Sequence, residues 1–301
     1  MLVEQRDRIV GCILGGAIGD ANGLPFEGKS AATHAELNGR KVSDDTQLTL
    51  ATCEAIVENR GIVDPSAIAS HFASWHRAGR VDGMGASTSK ALSELVAGGH
   101  WALVGRKGEY AAGNGAAMRI APLAFCLDPY QPEGRKTIRD VSRITHHNEE
   151  AFVGALSVTI AVRAAWDGSW NGGPLLLPLI INSIPDSKIR DRLLEIDEMG
   201  IGRSIAEIAD SFGRSAYVVE SVPLSLYAAQ KISMLGFESL MYELIGVGGD
   251  TDTIASITGQ IAGTFLGAEQ LPHQLIAQLH ESTFIGNVAR RFAETIAVTA
   301  G

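Results

Sequence analysis

The segment 248–267, GGDTDTIASITGQIAGTFLG, decides how this chain folds. Within it Ala255, Gly259, Gly263 and Gly267 recur every fourth residue, the spacing at which helical residues share one face. Glycine inside a helix costs about 1 kcal/mol relative to alanine. A row of it therefore predicts a face that another backbone approaches unusually closely. The matching row is near the other end of the chain, in GCILGGAIGDA over 11–21, where Gly11, Gly15 and Gly19 repeat the period. Small-residue faces of this kind are best known between membrane helices; here they predict two central helices of a water-exposed fold packed tightly together. Each row adjoins a polar segment, Asp20 to Glu27 after the first and Asp250 to Thr253 before the second.

Outward from these rows, patterns of period 3.6 dominate and strand-like alternation is scarce. Asp64-Pro65 reads as a helix start, with Asp at the N-cap and Pro at the first helical position. Ile68, Phe72 and Trp75 then form one buried stripe. Asn148, Glu149 and Glu150 open a long helix running to about Trp166. Asp186 to Met199, Tyr217 to Met234, Asp252 to Leu266 and Phe284 to Val298 read as further helices, and Gly172-Gly173-Pro174 as a loop. No linker or repeat interrupts the composition. The expectation is all-α, a compact single-domain orthogonal helical bundle over residues 1–301 with a central dinuclear metal cleft.

Composition narrows the functional classes. The 301 residues include 25 Lys+Arg against 34 Asp+Glu, a formal charge of −9, with no basic run. That balance argues against nucleic-acid or anionic-membrane binding, though not against one small anionic ligand held locally. At 46% hydrophobic and 20% charged residues, disorder is excluded. Cys12, Cys53 and Cys126 are odd in number and lack metal-ligand spacing, so buried thiols and a reduced, cytoplasmic setting are expected. The first thirty residues lack a basic-then-apolar leader pattern. A monomer is expected.

The chemistry resides in two carboxylate and hydroxyl clusters. Ser43-Asp44-Asp45-Thr46 opens one helix, and Gly248-Gly249-Asp250-Thr251-Asp252-Thr253 opens another. Capping alone needs one such side chain, whereas each cluster holds two carboxylates plus hydroxyls. Brought together, the four charges would repel unless cations neutralised them. Hard oxygen ligands without His or Cys select Mg²⁺, Mn²⁺ or Ca²⁺ over Zn²⁺, and two ions about 3.5–4 Å apart would match a two-metal site. Asp250-Thr251-Asp252-Thr253 also fits the D-x-D-x-T nucleophile pattern of haloacid-dehalogenase-type phosphatases, but it lies far from the N-terminus in a chain without βαβ rhythm. Two glycine-rich turns, Gly83-Met84-Gly85-Ala86-Ser87-Thr88 and Gly113-Asn114-Gly115-Ala116-Ala117-Met118-Arg119, offer backbone N–H groups to an anion.

Five stretches in order give the chain a resemblance to the ADP-ribosylglycohydrolases: Gly16 to Ala21 with Glu27 downstream, Ser43 to Thr46, Gly113 to Arg119, Ile144-Thr145-His146, and Gly248 to Ala255. The resemblance implies an all-α hydrolase that removes ADP-ribose from modified side chains with two Mg²⁺ (or Mn²⁺) ions. By position, Ser43, Asp44, Asp45, Asp250, Asp252 and Thr253 resemble the family's metal ligands. Glu27, Asp44 and Asp45 resemble its acidic residues at the reacting centre. Gly83, Gly85, Ser87 and Thr88 resemble the segment receiving the diphosphate, and Asn114, Gly115 and Met118 the ADP-ribose-binding turn. His146 resembles a residue lining the ribose side, and Tyr217 one stacking near the adenine.

The resemblance further implies, as partner, an ADP-ribosylated protein or small molecule. The Gly113–Arg119 and Ser215-Ala216-Tyr217 segments look most like the nitrogenase-regulating branch, which implies an N-glycosidic link to arginine. Hydrolysis of O-linked ADP-ribose (serine or O-acetyl-ADP-ribose type) and a non-catalytic, crystallin-like ADP-ribose binder are the alternatives. Two departures stand out: only fifteen residues separate Glu27 from Ser43, implying an open cleft, and Asn22 replaces an apolar residue.

Overall fold

Helix starts fall where side chains satisfy the first free N–H groups. Asp64 accepts from the Ser66 amide with Pro65 at the first helical position, Asn148 from the amides of Glu150 and Ala151, and Ser43 from that of Asp45. Ser204 and Glu207 form a reciprocal capping box. The computed structural model describes residues 1–30 and 36–299. Part of the short stretch between Glu27 and Ser43 thus lies outside the described residues.

Fifteen α-helices result among the described residues: α1 Val3–Gly23, α2 Asp44–Glu58, α3 Pro65–Arg77, α4 Ala86–Val96, α5 Pro132–Arg143, α6 Glu149–Asp167, α7 Leu176–Ile181, α8 Lys188–Met199, α9 Ile205–Phe212, α10 Val218–Ala229, α11 Ile232–Leu235, α12 Phe237–Gly246, α13 Thr251–Leu266, α14 His273–Gln278 and α15 Ser282–Thr299. The only sheet among them is a parallel two-residue ladder, β1 Arg106–Lys107 against β2 His146–His147. The all-α expectation holds, with one difference in detail. The expected helix from Tyr217 to Met234 is two helices, because the chain turns at Gln230–Lys231. There the buried Lys231 donates its ammonium protons to the carbonyl oxygens of Ile201 (2.9 Å) and Arg203 (2.6 Å).

At the centre α1 and α13 run antiparallel, flanked by α6, α10, α12 and α15. Their glycine rows meet backbone to backbone. A Cβ on Gly11 would lie 2.3 Å from Gly263 O, one on Gly15 2.3 Å from Gly259 O, and one on Gly19 2.0 Å from Ala255 O. The relation is reciprocal, since a Cβ on Gly259 would lie 2.2 Å from Gly15 O. Within Val3–Phe26 an 18-residue window is apolar enough to cross a membrane, but 78% of that window is buried in the fold. It is the core helix. Cys12 and Cys53 are fully buried, Cys126 partly so, and none is paired.

Ordinary overpacking costs about 1–3 kcal/mol because side chains can yield, but here the obstacle is a helix backbone. Gly259→Ala should therefore lower the urea midpoint by the equivalent of at least about 3 kcal/mol. Gly202→Ala, where a new Cβ meets nothing within 4 Å, should stay within about 0.5 kcal/mol of the parent. Equal midpoints for the two variants would show that the helices are not in backbone contact.

Candidate metal centre and substrate cleft

The antiparallel packing sets the C-terminal end of α1 against the N-terminal end of α13. A Cβ on Gly23 would lie 2.5 Å from Asp252 Cα, and Thr251 Oγ1 donates to Gly23 O at 2.9 Å, covering a carbonyl that the end of α1 leaves open. Asp20, fully buried, sits on the last turn of α1, where the helix dipole disfavours a negative charge. The N-terminus of α2 compensates. Asp20 accepts from the Ser43 amide (3.0 Å), Ser43 Oγ (2.8 Å), the Thr46 amide (3.1 Å) and Thr46 Oγ1 (2.5 Å).

Asp250 and Glu27 arrive by a different route. Gly248 and Gly249 take φ of 74° and 82°, a region that L side chains rarely enter, and so turn the chain into α13. The Gly28 amide donates to Gly249 O at 2.8 Å and the Gly249 amide to Lys29 O at 3.0 Å. This pair of bonds holds Glu27 beside Asp250. Asn114 Nδ2 donates to Asp250 Oδ2 at 2.5 Å and to Ser221 Oγ at 3.0 Å, tying the second glycine turn to the cluster.

The carboxylates form two groups that share Asp252. In Asp20, Asp45 and Asp252, one oxygen from each lies within 4.8 Å of the others, and the same is true of Glu27, Asp250 and Asp252. Burial, reinforced by mutual repulsion, pushes Asp44 and Asp252 up to about 8 and Asp45 well above the usual carboxylate range. Burial also raises Asp20 to about 6, although its hydrogen bonds work against it. Asp45 Oδ1 is buried with no hydrogen-bond partner among the described residues, while Oδ2 accepts from Thr253 Oγ1 (3.3 Å) and lies 3.1 Å from Ser43 Oγ, whose one proton goes to the nearer Asp20. An unpartnered carboxylate oxygen amid like charges, with neither His nor Cys in either group, suits a hard divalent cation.

The two groups open on a cleft of about 200 Å³. Glu27, Asp44, Asp45, Asp250, Asp252 and Thr253 line it from one side. Gly83, Gly85, Ser87, Thr88, Asn114, Gly115, Met118 and His146 line the rest. Asp44 belongs to neither carboxylate group; its Oδ1 faces Gly83 across the cleft. Ser43 is turned inward, onto Asp20 and Asp45. Tyr217, expected near the adenine, is not on the cleft wall: its backbone pairs with Gly113, and Ala216 lines the cleft instead.

Three site residues escape sequence reasoning. Asp20 was legible as a carboxylate in an apolar, glycine-rich helix, but not as the acceptor that joins α1 to α2. Arg106 lines the cleft as its one cation among the described residues, brought there by the two-residue pairing of β1 with β2. No local pattern announces so short a strand. The third, Arg119, is buried behind the cleft.

Comparison with known proteins agrees with this arrangement. Residues 1–300 match the family model for ADP-ribosylglycohydrolase. The chain is 26% identical to the ADP-ribosylhydrolase ARH3 of Mus musculus, over 88% of this chain and 85% of that one. It is 25% identical to the ADP-ribosyl-(dinitrogen reductase) glycohydrolase of Rhodospirillum rubrum, over 91% and 90%. A solved structure described as an ADP-ribosylglycohydrolase-related protein complex superposes with a TM-score of 0.76 at 27% identity, covering 98% of this chain and 99% of that one. A helical fold matched from end to end, with its carboxylates gathered at one cleft, thus has one assignment: the chain belongs to the ADP-ribosylglycohydrolase family and is a glycosidic hydrolase.

Proposed function

We propose that the cleft removes ADP-ribose from a protein side chain, arginine first, with two divalent cations, Mg²⁺ or Mn²⁺, held by the shared-aspartate groups. The observation that carries this reading is Asp252 standing in both groups. Asp20, Asp45 and Asp252 would hold one ion, and Glu27, Asp250 and Asp252 the other. Arginine is put first because the Gly113–Arg119 and Ser215–Tyr217 segments look most like the nitrogenase-regulating branch, to whose Rhodospirillum rubrum glycohydrolase the chain is 25% identical. The closed, oxygen-rich carboxylate set also argues against a non-catalytic binder, which has no use for so much repulsion.

Divalent cations, when bound, neutralise the carboxylates, hold vicinal hydroxyls and lower the pKa of nearby water. The chain's own residues do the rest. The turn from Gly113 to Gly115 lets the ligand approach the backbone closely, and Arg106 supplies positive charge for the diphosphate. Cleavage of the ribosyl C1–N bond passes through an oxocarbenium-like state. Water adds at C1 and gives up a proton, and the departing guanidine nitrogen gains one. Asp44, free of both groups and facing the open cleft, is placed to pass that proton.

Asp252→Asn should lower turnover at least about 100-fold while leaving the helical circular dichroism intact; parental activity would refute the shared-ligand assignment. Mass spectrometry of peptides carrying ADP-ribose on arginine or on serine should show release from arginine. Preferential release from serine would establish the O-linked alternative.

Stability should report the carboxylate crowding as well. Ordinary carboxylates near 3.8 are ionised in the unfolded chain, whereas Asp44 and Asp252 keep their protons in the folded, cation-free protein up to about 8. The folded state then binds more protons, so stability falls as pH rises through this window. Below 6.5 the buried His146, held down to about 3, contributes with the opposite sign. The clean interval is therefore from about pH 6.5 to 8. There the Tm of chelator-treated protein should fall, and added Mg²⁺ or Mn²⁺ at pH 8 should restore it. A flat profile with no cation response would contradict the proposal.

A further inference from the structure

We infer that Arg119 is a positioning residue that acts through Thr145 to hold His146 as the tautomer protonated on Nε2, so that the imidazole presents an N–H to an oxygen acceptor in the cleft. Arg119 ends the second glycine turn and is completely buried. Its guanidinium lies 4.8 Å from the Phe72 ring centre, and Nη2 donates to Thr145 Oγ1 (2.8 Å) and Val141 O (3.3 Å). No carboxylate pairs with it among the described residues, and Nε and Nη1 have no hydrogen-bond partner. Packing alone would be served as well or better by an apolar side chain of similar volume. Among the described residues, the one polar side chain to which the guanidinium donates is Thr145.

Thr145 is also fully buried, and its Oγ1 lies 2.8 Å from His146 Nδ1. A guanidinium only donates, so Oγ1 accepts from Arg119 and has one proton left to place. If Nδ1 were protonated, two donors would converge on one oxygen and the hydroxyl proton would be stranded in the core. That arrangement carries the desolvation cost of an unmade bond. With Nδ1 bare, the hydroxyl donates to it and all three groups are satisfied. The neighbouring positive charge polarises the hydroxyl and makes it a stronger donor. Burial first, and then Arg119, hold the His146 imidazolium far below its usual range, so the ring is neutral and its single proton sits on Nε2.

Nε2 has no hydrogen-bond partner among the described residues, and His146 lines the cleft. The glycine turn keeps that edge open. A Cβ on Gly113 would lie 3.1 Å from Nε2, and one on Gly115 2.8 Å from Cε1. The acceptor is an uncharged or anionic oxygen, a ribose hydroxyl or a phosphate oxygen of the ligand. In naming that ligand the inference rests on the ADP-ribose reading; the tautomer itself does not.

The test is long-range ¹H–¹⁵N correlation on the full chain labelled at its 8 histidines, with His146 assigned by the signal that His146→Gln removes. Wild type should show Nδ1 bare and Nε2 protonated between about pH 6 and 8. Thr145→Ser should keep that pattern, whereas Thr145→Val and Arg119→Met, which removes the donor to Thr145 Oγ1, should each lose it to a mixture of tautomers. A wild-type spectrum with the proton on Nδ1 overturns the inference, as does an unchanged tautomer in Thr145→Val or in Arg119→Met. Should Thr145→Val fail to fold, the wild-type and Thr145→Ser spectra still decide. Calorimetric titration with ADP-ribose and Mg²⁺ should show about tenfold weaker binding to Thr145→Val and parental binding to Thr145→Ser. Wild type that binds no ADP-ribose while showing the expected tautomer would sink the ligand assignment and leave the positioning role standing.

Discussion

Two helices touching through their backbones hold this molecule's chemistry in place. Along the facing glycine rows no side chain intervenes, and α1 and α13 approach until the carbonyl of one stands where a Cβ of the other would be, as at Gly15 and Gly259. Such contact extends dispersion over the whole interface and allows almost no sliding. Because the helices are antiparallel, the carboxylate that ends one is driven against the carboxylates that begin the other. Asp20 and Asp252 are together because Gly19 and Gly23 permit nothing between them.

The consequence is a concentration of negative charge that the fold tolerates through donors rather than through distance. Four donors from the start of α2 surround Asp20, and two helix N-termini point their dipoles into the cluster. Asp45 is left with an unpartnered oxygen. Fold stability and cation affinity are therefore opposed at this point: the same crowding that raises the carboxylate pKa values is what would make a divalent ion bind.

Across the cleft the logic changes from charge to direction. The cleft has a wall of carboxylates on one side, and on the other Arg106, the glycine turns and His146. The two arginines near the site do different work. Arg106 stands in the cleft, where its charge acts on whatever enters. Arg119 never meets solvent, and its influence reaches the cleft only as the orientation of a hydroxyl and the placement of one proton.

Much of this was legible in the residues. Caps at Asp64, Asn148 and Ser43, the 3.6-residue periodicity and the paired glycine rows are short-range signals, set by the geometry of a single helix, and they predicted an all-α protein with two close central helices. The carboxylate segments at 43–46 and 250–253 were likewise visible, because two charges beside hydroxyls exceed what a helix start requires. What the sequence could not reveal depends on pairings between distant segments. The place of Asp20 beneath the start of α2, the delivery of Arg106 by a two-residue strand, the presence of Ala216 on the cleft wall and the Arg119–Thr145–His146 chain all arise from packing across more than twenty residues of sequence or between separate elements. A side chain's neighbours in space are set by the whole assembly of helices, whereas its local conformation is set by the few residues on either side. That difference in range separates what the order of amino acids determined from what only the folded chain decided.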